Sequence, residues 1–289
     1  MICMKDLRYY QFLPKDLPVI TRMALEGLVD HDEGDINVSF DLGLSFTRIR
    51  ISGGVFTLKG YKYNINTLLR NMRDDYIYLL VSGEARRVAF YRDNLFYKLY
   101  PVSPYTAPTI EISGIKMHRV VGVSPWEDAG SKVSILNIRR GEHVLDICTG
   151  LGYTAIHAYR KGGVVTTVEK DVNVLDMASY NPWSHDLEHI SIVVGDAMDV
   201  IRSFDDESFD VIIHDPPRLS RAGHLYSSVF YEELYRVLRR GGRLFHYTGK
   251  VGYRRRGIDI MGGVSGRLKK TGFKPRIMRS LMGVYAVKP

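Results

Sequence analysis

The strongest constraint on this chain is an alternation that starts near residue 120. Short, nearly continuous apolar runs at 143–147, 164–168, 190–194, 209–213 and 243–247 are spaced by amphipathic stretches. The apolar runs read as strands, and the stretches at 153–159, 172–179, 197–203, 228–239 and 264–271 read as helices. Strands apolar on both faces and separated by helices predict a parallel sheet covered on both sides. The last segments, 274–279 and 283–287, read as two further strands around a tight turn. Each of the first four strands carries an acid at or just beyond its carboxyl end: Asp146, Glu169, Asp196 and Asp215. In open α/β sheets that edge is where ligands bind.

Before residue 120 the pattern is different. Alternating or β-branched runs at 36–40, 46–51, 55–58, 76–81, 87–91 and 95–100 are punctuated by Gly53-Gly54, Asp93-Asn94 and the Pro101 to Pro108 stretch. A helix is predicted over 18–29 from Ile20, Met23, Ala24 and Leu28. The expected class is therefore α/β, with a Rossmann-like sheet at 119–289 preceded by a small β-rich domain at 1–118 suited to substrate recognition.

No apolar run is long enough to span a bilayer, and residues 1–10 lack a signal-peptide core, so a cytoplasmic protein with no membrane partner is expected. The two cysteines, Cys3 and Cys148, exclude a disulfide framework and leave no cysteine-ligated metal site. Charge is unevenly spread. Residues 219–289 hold 16 Lys+Arg against 3 Asp+Glu, a net of +13, whereas residues 1–218 hold 24 against 29, a net of −5. A basic segment with so few carboxylates points to a polyanion, RNA or DNA. Arg254, Arg255 and Arg256 read as an exposed loop for phosphates, the alternative being a solvated charge run. The oligomeric state has no signature in the sequence.

The first strand leads into Asp146-Ile147-Cys148-Thr149-Gly150-Leu151-Gly152, whose glycines let backbone approach a ligand closely. Glu169 follows Gly150 by 19 residues, where an acid can accept from both ribose hydroxyls of a nucleoside. Asp196, followed by Ala197, can accept from an adenine amino group. A dinucleotide turn would need a third glycine, which Tyr153-Thr154-Ala155 does not supply. This ordered set resembles class I S-adenosylmethionine-dependent methyltransferases over residues 143–289. The resemblance implies that Asp146, Thr149, Gly150 and Gly152 meet the methionine portion of the cofactor, Glu169 the ribose, and Asp196 with Ala197 the adenine. Cys148 stands where the family has its first motif glycine.

Asp215-Pro216-Pro217 resembles the catalytic motif of enzymes that methylate amino nitrogens, especially exocyclic amines of nucleobases. The lone pair of such an amine is delocalised into the ring. A carboxylate and a backbone carbonyl accepting its two N–H groups help localise that pair for attack on a methyl carbon. Arg218 replaces the usual aromatic; Tyr226 or Tyr247 could supply the ring that stacks on the base, though each also reads as packing. Carbon-5 methylation would need a cysteine nucleophile, and neither cysteine suits it. The stretch 185–215 also resembles spermidine synthases, whose polycationic substrate fits poorly with the basic carboxyl-terminal segment. With Asn181-Pro182-Trp183-Ser184 and Phe245-His246-Tyr247, the whole resembles an archaeal methyltransferase family with a DPPR motif, which implies a ribosomal RNA cytidine amine as substrate. An aminopropyltransferase, a small-molecule methyltransferase and a non-catalytic RNA-binding protein remain the alternatives. Trp183 reads more readily as packing than as a pocket wall.

Overall fold

The computed structural model describes residues 7–31, 33–219, 221–249 and 259–289. They form two compact units. One comprises residues 13–127 and 173–185, the other residues 1–12, 128–172 and 186–289.

The first unit is built of antiparallel sheets of four, three and four strands around its own apolar core. Most of the expected strands are present, and Tyr61–Asn64 and Thr109–Ile112 join them. The helix expected over 18–29 is shorter. Val19–Thr21 is a buried strand, and the helix is Arg22–Glu26, started by Thr21 Oγ1 accepting from the Ala24 N–H at 3.0 Å. Trp183 packs within this unit: its ring lies 5.2 Å from that of Trp126, and its indole N–H donates to the Leu42 carbonyl.

The second unit carries an eight-stranded sheet. Its strands are β1 (Tyr9–Tyr10), β2 (His143–Ile147), β3 (Val164–Glu169), β4 (Ser191–Val194), β5 (Phe209–His214), β6 (Leu238–Tyr247), β7 (Lys274–Met278) and β8 (Gly283–Val287). The order across the sheet is β1-β4-β3-β2-β5-β6-β8-β7. Strands β2 to β6 run parallel to one another; β1, against β4, and β8, between β6 and β7, are antiparallel to their neighbours. The expected α/β class with a Rossmann-like sheet and a β-rich amino-terminal region is what the chain forms.

Burial explains the parallel core. In β2, residues 144–147 are all buried, and in β5 Val211 to His214 are all buried, so neither strand has a solvent face. Helices Tyr153–Arg160, Ser228–Val237 and Ile260–Thr271 carry the crossovers. A further helix, Pro125–Ser134, has no counterpart in the sequence reading. Reversal of strand order between β3-β2 and β5-β6 creates a crevice at the carboxyl ends of β2 and β5.

Candidate active site

The turn after β2 is where the acids converge. Cys148, Gly150 and Gly152 have φ of +74°, +56° and +81°. Two of these positions therefore use the freedom of glycine, and the third places a cysteine in a conformation that favours glycine. At Gly152 a Cβ would lie 2.6 Å from the Leu187 methyl groups, so a side chain there would be strained and would force Leu187 to shift. The strained turn is anchored on the next strand: the N–H groups of Cys148 and Thr149 both donate to the Val168 carbonyl, at 3.0 and 3.1 Å.

Asp146 is wholly buried beneath this turn. The Thr167 hydroxyl donates to its Oδ2 at 2.6 Å. Among the described residues Oδ1 has no hydrogen-bond partner, an orphaned acceptor that costs free energy unless a donor arrives. Burial, with Asp215 and Glu169 nearby, pushes the Asp146 carboxyl up to about 7. Thr149 shares a hydrogen bond with Thr167 at 2.7 Å and so supports Asp146 from behind.

Glu169 closes the turn from β3. Its Oε2 accepts from Gly150 N–H at 2.9 Å, and its Oε1 from the N–H groups of Lys170 and Asp171. Burial raises its pKa against those donors. Asp196 caps the short helix Ala197–Val200 by accepting from Met198 N–H, and its other oxygen meets Lys170 Nζ at 2.9 Å. Burial works against its charge, but Lys170, Met198 N–H and His224 hold the carboxyl below its ordinary value. Cys148 sits among all four acids. Burial first, then Glu169, Asp146, Asp215 and Asp196, pushes its thiol well up, so it stays protonated and is no nucleophile.

Asp215 follows β5 at the same edge, its side chain 21% exposed. Pro216 is buried, while Pro217 and Arg218 are exposed. The Pro217 carbonyl accepts from the Tyr226 hydroxyl at 3.2 Å. Tyr226 itself is only 3% exposed and lies against His246, with ring centroids 5.0 Å apart. It braces the Asp215 loop from inside and offers no free ring face. Tyr247 is half-buried, with the ammonium of Lys132 3.7 Å from its ring centroid.

Lys132 is the functional candidate the sequence concealed. It comes from helix Pro125–Ser134, is 6% exposed, and donates to Asp215 Oδ2 at 2.8 Å and Asp128 Oδ2 at 2.9 Å. Asp215 Oδ1 has no hydrogen-bond partner among the described residues. Arg254, Arg255 and Arg256 lie outside the described residues. Other basic residues line this unit: Lys269 and Lys270 end the helix Ile260–Thr271, Lys274 and Arg276 lie on the edge strand β7, and Arg279 follows it, all exposed. No Asp or Glu occurs anywhere in residues 260–289.

Among known proteins, residues 117–273 match the model of the methyltransferase small domain family. An uncharacterized protein of Methanocaldococcus jannaschii is 52% identical over 219 residues, 75% of each chain. A proposed ribosomal RNA large subunit methyltransferase of the same organism is 33% identical over 89 residues, 29% of this chain and 23% of its own. The spermidine synthase of Thermotoga maritima has a similar fold, with a TM-score of 0.53 at 18% identity over 74% of each chain. Among the described residues no helix is long and apolar enough to cross a membrane.

Proposed function

The chain belongs to the methyltransferase small domain family, and from that premise we propose that it methylates an exocyclic amino nitrogen of a nucleobase in RNA, with cytidine N4 of ribosomal RNA as the favoured target and S-adenosylmethionine as donor. The observation that carries this reading is Asp215. It stands at the carboxyl end of β5 with one oxygen held by Lys132 and the other unpartnered among the described residues.

The residues present fit the cofactor. Asp146 Oδ1 is a buried acceptor, without a partner among the described residues, suited to the ammonium of its methionine portion, Gly150 and Gly152 hold the positive-φ turn that follows it, and Glu169 and Asp196 are acids suited to ribose and adenine. Thr149 and Ala197 flank those contacts. When bound, this group supplies an electrophilic methyl on a sulfonium. The chain's own task is to orient the amine: Asp215 Oδ1 accepts one N–H and the Pro216 carbonyl the other, so the nitrogen lone pair turns out of conjugation. Pro216 and Pro217 stiffen the loop that presents these acceptors, and Tyr226 braces it. Arg218, exposed beside them, suits stacking on a base or binding a phosphate.

RNA as partner is supported by segment 260–289, which lacks acidic side chains and exposes several lysines and arginines, and by the name of the relative that shares 89 residues. A polyamine acceptor is disfavoured because the carboxylate at the strand end already binds an internal cation. The test is methyl transfer from labelled cofactor to RNA from a strain lacking the gene, followed by nucleoside analysis. Asp215→Ala should lose about a hundred- to a thousandfold in rate while cofactor affinity holds, and Asp215→Asn should retain more, since its carbonyl still accepts. Full activity in Asp215→Ala would remove the mechanism.

A further inference from the structure

Lys132 has an unusual position for a lysine. Its side chain is 6% exposed, its ammonium bonds Asp215 Oδ2 and Asp128 Oδ2 at 2.8 and 2.9 Å, and it faces the ring of Tyr247 at 3.7 Å. Burial opposes its charge, but the two carboxylates prevail and raise its pKa, so the group is an ammonium at neutral pH. Lys132 and Asp128 are one helical turn apart, so Asp128 orients the lysine along its own helix. The lysine in turn fixes one oxygen of Asp215, a residue on a different element and at the substrate edge.

We propose that Lys132 is a positioning and specificity-determining residue: by occupying Asp215 Oδ2 and standing over Tyr247, it leaves one carboxylate oxygen for an uncharged amine and keeps cationic amines out. This rests on the proposed amine methylation. A nucleobase amine is neutral at physiological pH because its lone pair is delocalised, so it meets an acceptor with no ammonium to displace. An aliphatic amine arrives as a cation and must compete with Lys132 for Asp215 across a few ångströms of protein interior, where like charges repel strongly. The same ammonium blocks one face of Tyr247, which leaves at most the other face or edge of that ring for the target base.

The experiment pairs Lys132→Met, Lys132→Arg, Asp215→Ala and the double variant Lys132→Met/Asp215→Ala. Each is assayed for methyl transfer to RNA from a strain lacking the gene, with kcat and KM separated and the product identified by nucleoside analysis. Lys132→Met/Asp128→Asn, which restores the local charge balance, controls for folding, and thermal melting is followed throughout. Lys132→Met should lower kcat on the order of a hundredfold, as a misplaced catalytic group does, with KM and cofactor affinity little changed and partial rescue by Lys132→Arg. Because Lys132 acts through Asp215, the double variant should be scarcely slower than Asp215→Ala alone. Lys132→Met should also gain methyl transfer to spermidine relative to the wild type. Wild-type label on an RNA amine with undiminished kcat in Lys132→Met, or rate losses that add fully in the double variant, overturns the role of Lys132 alone. Wild-type label on a ribose oxygen or ring carbon, or none at all, overturns the amine reading and this inference with it.

Discussion

Two residues at the end of β2 and in the turn that follows it have measurable consequences. Cys148 holds φ at +74°, where a side chain costs about 1–2 kcal/mol and glycine almost nothing. At ordinary positions alanine is more favourable than glycine by roughly 0.5–1 kcal/mol. Here the order should reverse: Cys148→Gly should be the more stable variant, by up to about 1 kcal/mol over Cys148→Ala in urea unfolding. Alanine winning would mean that the backbone is relaxed at this turn. Asp146 offers a test of the cofactor site. Burial first, then its acidic neighbours, pushes its carboxyl up to about 7, and a bound ammonium would hold it ionised. Cofactor binding should therefore release a proton near neutral pH. Affinity should weaken as pH falls below about 7, approaching tenfold per unit. Calorimetry in buffers of different ionisation enthalpy measures the release, and Asp146→Asn should abolish it together with the pH dependence.

At the scale of elements, the parallel core was legible because its strands are apolar runs of the right length, and the four acids at their ends marked the site edge. What escaped was the helix Pro125–Ser134. Its sequence buries Asp128 and Lys132, at 6% and 5% exposure, so the polar residues that normally mark a solvent face point inward and the periodicity is inverted. An Asp–Lys pair four apart on a helix ordinarily signals a surface ion pair, and only Asp215, 83 residues later, reveals its use. The boundary between the helix Ser228–Val237 and β6 also differs: the strand starts at Leu238, with Gly241 at φ +73°, where the sequence extends the helix to 239. The basic edge formed by Lys269, Lys270, Lys274 and Arg276 is an element-scale feature with its own test. If it grips RNA phosphates, changing all four to Ala should lower the slope of log affinity against log salt by about 0.7 for each phosphate no longer neutralised on single-stranded RNA. Lys274 also lies on an edge strand, where lysine guards against pairing with another chain. An unchanged slope with new self-association would assign these side chains to that protective role.

For the whole molecule, the ionisable groups buried in the sheet set how stability responds to acid. His214 on β5 and His246 on β6 are wholly buried, with ring centroids 4.3 Å apart. His214 Nε2 meets the Leu225 carbonyl at 3.0 Å and His246 Nε2 meets the Tyr231 hydroxyl at 2.9 Å, while both Nδ1 atoms lack a partner among the described residues. Burial pushes His214 down to about 4, and burial with His214 beside it pushes His246 well down. The unfolded chain takes up these protons as pH falls through about 6.5, whereas the folded chain refuses them, so stability is lost from about pH 6.5 down to about 4. For His214 alone this amounts to roughly 3 kcal/mol, at about 1.4 kcal/mol per unit. Asp146 acts in the opposite sense. With its folded pKa raised to about 7, the buried carboxylate destabilises the protein above that pH, and the folded state gains protons, and stability, as pH falls from about 7 toward its unfolded value near 3.8. The effects overlap between about pH 6.5 and 4, where Asp146 offsets about one of the two histidines in the wild type. Asp146→Asn removes the compensating group, so its stability should fall more steeply with acid over that interval than the wild type's. Replacing His214 with Gln in the same background should flatten the curve again. Urea unfolding at half-unit steps from pH 7 to 4 measures both slopes, and equal slopes in the wild type and Asp146→Asn would show that Asp146 does not carry a raised pKa in the folded chain.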